Sequence, residues 1–133
     1  MTVVVDSSVL IPVERGEIDL GVAMVSAPDA ELVMSAISVS ELLHGAHRAR
    51  SVVSRARTEA RIERILSAMP VIEFDVEIAR VHAALGADLR SRGQVMGAHD
   101  LIIAATAVWL DAPVATRDVR GFARVKGLEI LHW

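Results

Sequence analysis

Val3-Val4-Val5-Asp6-Ser7-Ser8 is a run of three β-branched apolar residues that stops on a carboxylate. An unbroken rather than alternating apolar run predicts a strand buried on both faces, as in parallel sheets. Reading outward, Leu32–Ile37 predicts a second strand, Val71–Phe74 a third, Val114–Thr116 a fourth and Leu128–Leu131 a fifth. Helical patterning fills the intervals: Val39 to about Arg50, Ser54 to Met69, Val76–Arg90 and Leu101–Leu110. In the third of these, Ile78, Val81, His82, Leu85 and Leu89 fall on one side. Strands and helices alternating at this spacing predict βαβ units. The expected fold is an α/β/α three-layer domain with a mostly parallel, five-stranded sheet.

The chain has 133 residues, with no Pro/Gly/Ser-rich linker and no internal repeat, so residues 1–133 are expected to form one domain. Fourteen basic and 17 acidic side chains give a net charge of −3, which speaks against nucleic-acid binding by bulk attraction alone. Cysteine is absent, which removes disulfide frameworks, thiol catalysis and the usual zinc fingers. Leu101–Leu110 is the longest strongly apolar run, far short of the roughly 20 residues of a membrane span. Asp6 interrupts any signal-peptide core. A soluble, cytoplasmic protein is expected.

Ligands of open parallel sheets sit beyond the carboxyl ends of the strands. Four acids fall there. Asp6 follows the first strand, and Glu41, in Ser38-Val39-Ser40-Glu41, follows the second. Asp100 opens the apolar stretch Leu101-Ile102-Ile103-Ala104-Ala105, and Asp118 closes the fourth strand. Each has an ordinary explanation. Asp6 and Asp100 suit N-caps, Ser38 with Glu41 spells a capping box, and Asp118 suits a turn or a pair with Arg117 or Arg120. Four acids on one edge of one sheet are harder to dismiss. Converging carboxylates repel, and some take up protons unless cations are present. Mg²⁺ or Mn²⁺ prefers oxygen ligands, and a carboxylate–metal cluster suits phosphodiester hydrolysis by a metal-activated water.

The set Val-Val-Val-Asp6-Ser7-Ser8, Ser38-Val-Ser-Glu41-Leu-Leu-His-Gly45, Asp100-Leu-Ile-Ile-Ala-Ala-Thr-Ala107 and Ala115-Thr116-Arg117-Asp118-Val-Arg-Gly-Phe122 resembles, in order and spacing, the PIN-domain ribonucleases of the VapC toxin type. The resemblance implies an Mg²⁺- or Mn²⁺-dependent endoribonuclease with Asp6, Glu41, Asp100 and Asp118 as catalytic metal ligands. It also implies support from Ser7 or Ser8 and from Thr116, a VapB-type antitoxin as partner, and a homodimer. One departure stands out. Many relatives carry Asn at the position of Asp118 and an acid three residues on; that later position is Gly121 here. The fourth carboxylate is therefore expected from Asp118. Taking four negative charges from −3 leaves the rest of the chain at +1.

RNA contacts are expected from Arg90, Arg92, Arg117 or Arg120, or from the His44–Met69 stretch, where six Arg face two Glu. His44 and His47 are three apart but lack a third ligand for zinc. His82 and Trp133 read as packing residues, and Trp109 as core or interface. With no Tyr, and only Phe74 and Phe122 besides the two Trp, a broad base-stacking platform is excluded. A haloacid-dehalogenase phosphatase needs an acid where Ser8 stands. A receiver domain needs a late Lys at the sheet edge, whereas the only Lys is Lys126. The remaining alternative is a catalytically silent PIN-like module that binds RNA or a protein partner.

Overall fold

The computed structural model describes all residues, 1–133. The elements run β1 (Thr2–Val5), α1 (Ser7–Glu14), α2 (Leu20–Ala23), a short 3₁₀ turn (Met24–Ser26), β2 (Glu31–Ser35), α3 (Ala36–His47), α4 (Val52–Ala68), β3 (Val71–Ile72), α5 (Val76–Ser91), α6 (Ala98–Leu110), β4 (Val114–Thr116), α7 (Val119–Phe122) and β5 (Ile130–His132). The five strands form one sheet in the order β3-β2-β1-β4-β5, and every pairing is parallel.

The alternation of side chains along β1 explains the layers. Val3 and Val5 face one side of the sheet and pack with Val9 and Leu10 of α1, Leu42 and Ala46 of α3 and Ile62 of α4. Val4 faces the other side and packs with Ile103, Ala104 and Ala107 of α6 and Phe122 of α7. All three valines are fully buried, as the unbroken apolar run requires. The middle of helix α6 is apolar nearly all round because it is enclosed: Ile103–Ala107 are all buried, whereas Val108 and Trp109 at its end are exposed. Trp133 is buried, packs into the first of these cores and donates its indole N–H to Ser26 Oγ at 2.9 Å.

Several boundaries differ from the sequence expectation, each for a local reason. The second strand stops at Ser35, not Ile37, because the Ser35 hydroxyl accepts the Ile37 N–H and starts α3 there. Ser38 and Glu41 therefore form no capping box; Ser38 lies inside the first turn, and Glu41 in the second. Likewise α6 starts at Ala98 with Gly97 in the cap position, so Asp100 sits within the first turn rather than at the cap. The third strand keeps only Val71–Ile72 of the expected four residues, since Asp75 caps α5 through the Ile78 N–H. The fifth is shifted to Ile130–His132 by its register with Val114–Thr116. Trp109 is not a core residue, being 44% exposed. Helix α1 has no periodic signature, because Ser7-Ser8 and Pro12 interrupt its pattern; burial of Val9 and Leu10 nevertheless holds it.

Candidate active site

In the order β3-β2-β1-β4-β5, the crossovers from β1 and β4 leave in opposite directions, which makes the cleft beyond their carboxyl ends the switch point of the sheet. Asp6 is the first residue after β1 and Asp118 the second after β4. Glu41 projects from α3, the helix after β2, and Asp100 from the first turn of α6, the helix before β4.

Asp6 is 3% exposed and has no cationic partner, an arrangement that is costly in a purely structural setting. Although it occupies the N-cap position of α1, its carboxylate caps nothing. Instead Oδ2 accepts two hydroxyls, Ser8 Oγ at 2.6 Å and Thr116 Oγ1 at 2.8 Å. Each hydroxyl is oriented in turn by a backbone donor. Arg117 N–H donates to Ser8 at 2.9 Å, and Asp118 N–H to Thr116 at 2.9 Å. Two parallel relays thus run from the β4–α7 turn through a hydroxyl to one oxygen of Asp6. Ser7 serves the second acid, donating to Glu41 Oε1 at 3.0 Å. His99 Nδ1 lies 3.5 Å from the same oxygen. Asp118 does cap a helix, accepting the Gly121 N–H on Oδ1 at 3.0 Å.

Asp100 registers the convergence of all four. Burial, then the charges of Asp6, Asp118 and Glu41 in that order, push its carboxyl above the usual carboxylate range; His99 offsets this in part. Protein donors occupy only one oxygen on each of Asp6, Glu41 and Asp118, and neither oxygen of Asp100. At the same time, no three His, Asp or Glu side chains are gathered tightly enough to enclose an ion by themselves. The mutual repulsion is the more telling of the two, because carboxylates without a counter-charge hold apart. This donor set, all oxygen, negatively charged and loosely spaced, fits a hard divalent cation that keeps part of its water shell.

The remaining basic candidates separate by their partners. Arg92 is spent within the fold: it donates to Asp88 Oδ2 and to the Arg124 carbonyl, and its hydrogen bond holds the Asp88 carboxyl below the usual range. Arg90, Arg117 and Arg120 are exposed and make no ion pair. Arg117 and Arg120 flank Asp118. His44 and His47 join no metal-sized cluster. His82 packs edge-on against Phe74, with ring centres 5.5 Å apart. The feature that sequence reasoning underrated is Gly121. A Cβ there would stand 2.9 Å from Cγ of Asp118 and closer still to its Oδ2, so the absent side chain is what lets this carboxylate lie over the turn.

The PIN domain model matches residues 3–128. The chain belongs to the PIN-domain family. It is 36% identical to the VapC ribonuclease Y4jK of Sinorhizobium fredii, over 98% of this chain and 96% of that one. With the ribonuclease VapC1 of Rickettsia felis the figures are 30%, 98% and 96%. Among solved structures, VapBC-5 of Mycobacterium tuberculosis, a member of the VapBC family of toxin–antitoxin systems, superposes with a TM-score of 0.79 at 30% identity, covering 99% of this chain and 98% of that chain. Within this VapC branch of the PIN family the hydroxyl relays make Thr116 a sensitive position. Thr116→Val, nearly isosteric, strands the Asp118 N–H and removes one donor from Asp6. The expected result is a loss of about 1–3 kcal/mol in denaturant unfolding and an about tenfold drop in nuclease rate.

Proposed function

We propose that this protein is an Mg²⁺- or Mn²⁺-dependent endoribonuclease and the toxin of a VapBC-type pair. The observation that carries the proposal is the group of four acids at the β1–β4 switch point, with Asp6 buried beside three further carboxylates, making no ion pair of its own, and with His99 offsetting the cluster only in part. The VapC names of the relatives support the RNA substrate, and the toxin–antitoxin nature of the solved relative supports a VapB-type partner.

Asp6, Glu41, Asp100 and Asp118 would hold the ion. When bound, Mg²⁺ or Mn²⁺ supplies a Lewis acid that acidifies water and offsets the charge of the phosphate. The chain's own part is orientation. Ser8 and Thr116 fix one Asp6 oxygen and leave the other without a protein donor. Ser7 does the same for Glu41, and the Gly121 N–H for Asp118. Water attack on phosphorus leaves the 2′-hydroxyl unused, and the products carry 5′-phosphate and 3′-hydroxyl ends. The substrate in this reading is cytoplasmic RNA. No helix is long and apolar enough to cross a membrane. A homodimer is the expected unit.

The test is incubation of purified protein with RNA in Mg²⁺, in Mn²⁺ and in EDTA, with the fragment ends then determined. Cleavage with either ion, none in EDTA, and 5′-phosphate ends are expected. A 2′,3′-cyclic phosphate product would sink the mechanism. RNA binding without cleavage under any ion would favour the silent module instead. Sequencing the 5′ ends of fragments after brief induction would name the RNA that is cut.

A further inference from the structure

A cleft of about 420 Å³ opens between α1, α3 and α4 on the Glu41 side of the acid cluster. A second, of about 350 Å³, adjoins it and reaches His44 and His99. The two share Ile11, Glu41 and Arg48, so they form one trough that leads away from the four acids. Its cationic residues are Arg15, Arg48 and Arg61.

These three arginines are not alike. Arg61 is held in place: its Nε donates to Glu14 Oε1 at 2.8 Å and its NH2 group to Thr58 Oγ1 at 3.2 Å. Glu14 is 8% exposed, whereas Arg61 keeps 42% of its side chain open. A guanidinium has five N–H donors, so three remain uncommitted. Arg15 and Arg48 are exposed and make no side-chain hydrogen bond or ion pair. Contrast Arg92, which commits three of its five N–H groups to Asp88 and a carbonyl and is less exposed than Arg61. The trough therefore presents one pre-oriented fork and two free cations beside a cluster that itself repels phosphate until it is neutralised. A planar fork with open N–H groups matches phosphate oxygens, and free arginines track a backbone without regard to base.

We propose that this trough is the subsite for backbone phosphates of the RNA strand next to the scissile bond, with Arg15, Arg48 and Arg61 as contacts and Glu14 as the positioning residue for Arg61. The proposal rests on the acids being the nuclease centre, and adds which side of that centre the strand occupies.

The experiment is fluorescence-anisotropy binding of a labelled single-stranded oligoribonucleotide to the full chain across a salt series. It uses the cleavage-deficient Asp100→Asn background in EDTA. Removing one phosphate-binding cation lowers the slope of log affinity against log salt by about 0.7, which is about fourfold in affinity for each cation near 0.15 M salt. Arg15→Ala with Arg48→Ala should therefore reduce the slope by about 1.4. Arg80→Ala, a surface change on α5 outside the trough, should not alter it. Glu14→Gln gives the sharper test. If Glu14 were only a negative charge near RNA, its neutralisation would tighten binding; as the residue that holds Arg61, its loss should weaken binding several-fold. An unchanged slope in the double variant overturns the proposal, even where antitoxin binding falls. So does an equal fall with Arg80→Ala, or tighter binding with Glu14→Gln. Failure of the wild-type chain to cleave RNA under any ion sinks the nuclease reading separately, because the binding series needs no turnover.

Discussion

Replacing Asp100 with Asn should abolish RNA cleavage, with a loss on the order of 10³ or more in rate, and should make the ion-free protein more stable at neutral pH. The loss of cleavage comes from the proposed role. Asn keeps the shape but offers one neutral oxygen where the carboxylate offers two charged ones, and both of those are free of protein donors. The gain in stability comes from the sign of the Asp100 shift. Burial and the neighbouring acids raise its folded value above the unfolded one. Between the two values the native chain holds a proton that the unfolded chain has lost. Stability therefore falls as pH rises through that window, and the full penalty remains above it. Asn has no such penalty. Thermal melts in EDTA should show the variant above the parent at pH 7, with the difference closing as pH drops below the ordinary Asp range. Added Mg²⁺ should raise the parent's melting temperature and leave the variant's nearly unchanged. A variant that melts below its parent in EDTA at neutral pH would refute the repulsion argument. Asp6→Asn should also abolish cleavage, but without the stability gain, because two hydroxyl donors stabilise the Asp6 charge and their bonds to a neutral amide oxygen are weaker.

Gly121→Ala should reduce cleavage by about 10–100-fold although it touches no acid's chemistry. The added methyl carbon would overlap the place now filled by Oδ2 of Asp118. The carboxylate must swing away, and its bond from the Gly121 N–H goes with it. The backbone at 121 is helical and needs no special conformation, so the change acts through that carboxylate and not through strain. A steady-state comparison of Gly121→Ala with Asp118→Asn separates the possibilities. If both fall together, Gly121 acts by making room for Asp118. If Gly121→Ala retains full activity, the position of this carboxylate over the turn is irrelevant to the reaction.

The parallel sheet was legible because β1 is an unbroken run of valines, and β4 carries the same signal in Val114-Ala115-Thr116. Asp6 and Asp118 were legible for the same reason: a strand whose end is visible also locates the residues just beyond it. The errors cluster where side-chain hydrogen bonds, not periodicity, set the boundary. Ser35 and Ser38 are both serines near the end of a strand. Only the three-dimensional register tells that Ser35 caps α3 while Ser38 is buried with its hydroxyl unpartnered. Each hydroxyl relay to Asp6 has one step that crosses the chain, 109 residues from Arg117 to Ser8 and 110 from Thr116 to Asp6, beyond any local pattern. The trough was invisible as well. Along the chain, Arg48 and Arg61 amount only to part of a local excess of positive charge over His44–Met69, and Arg15 lies outside that stretch. Arg61 is distinguished from its neighbours only by the buried Glu14 47 positions away.

The pairing of β1 with β4 joins the first strand made to almost the last. Contacts of such long sequence separation form late, since the intervening chain must be closed before they repay its entropy. Domains fold as units as they emerge during synthesis, and here the unit stays incomplete until Thr116, Asp118 and the β5 strand beyond them are available. A growing polypeptide that already displays Asp6, Glu41 and Asp100 still lacks Asp118 and both relays that aim Asp6. An RNA-cutting enzyme would thus be kept inert by its own chain order for most of its translation.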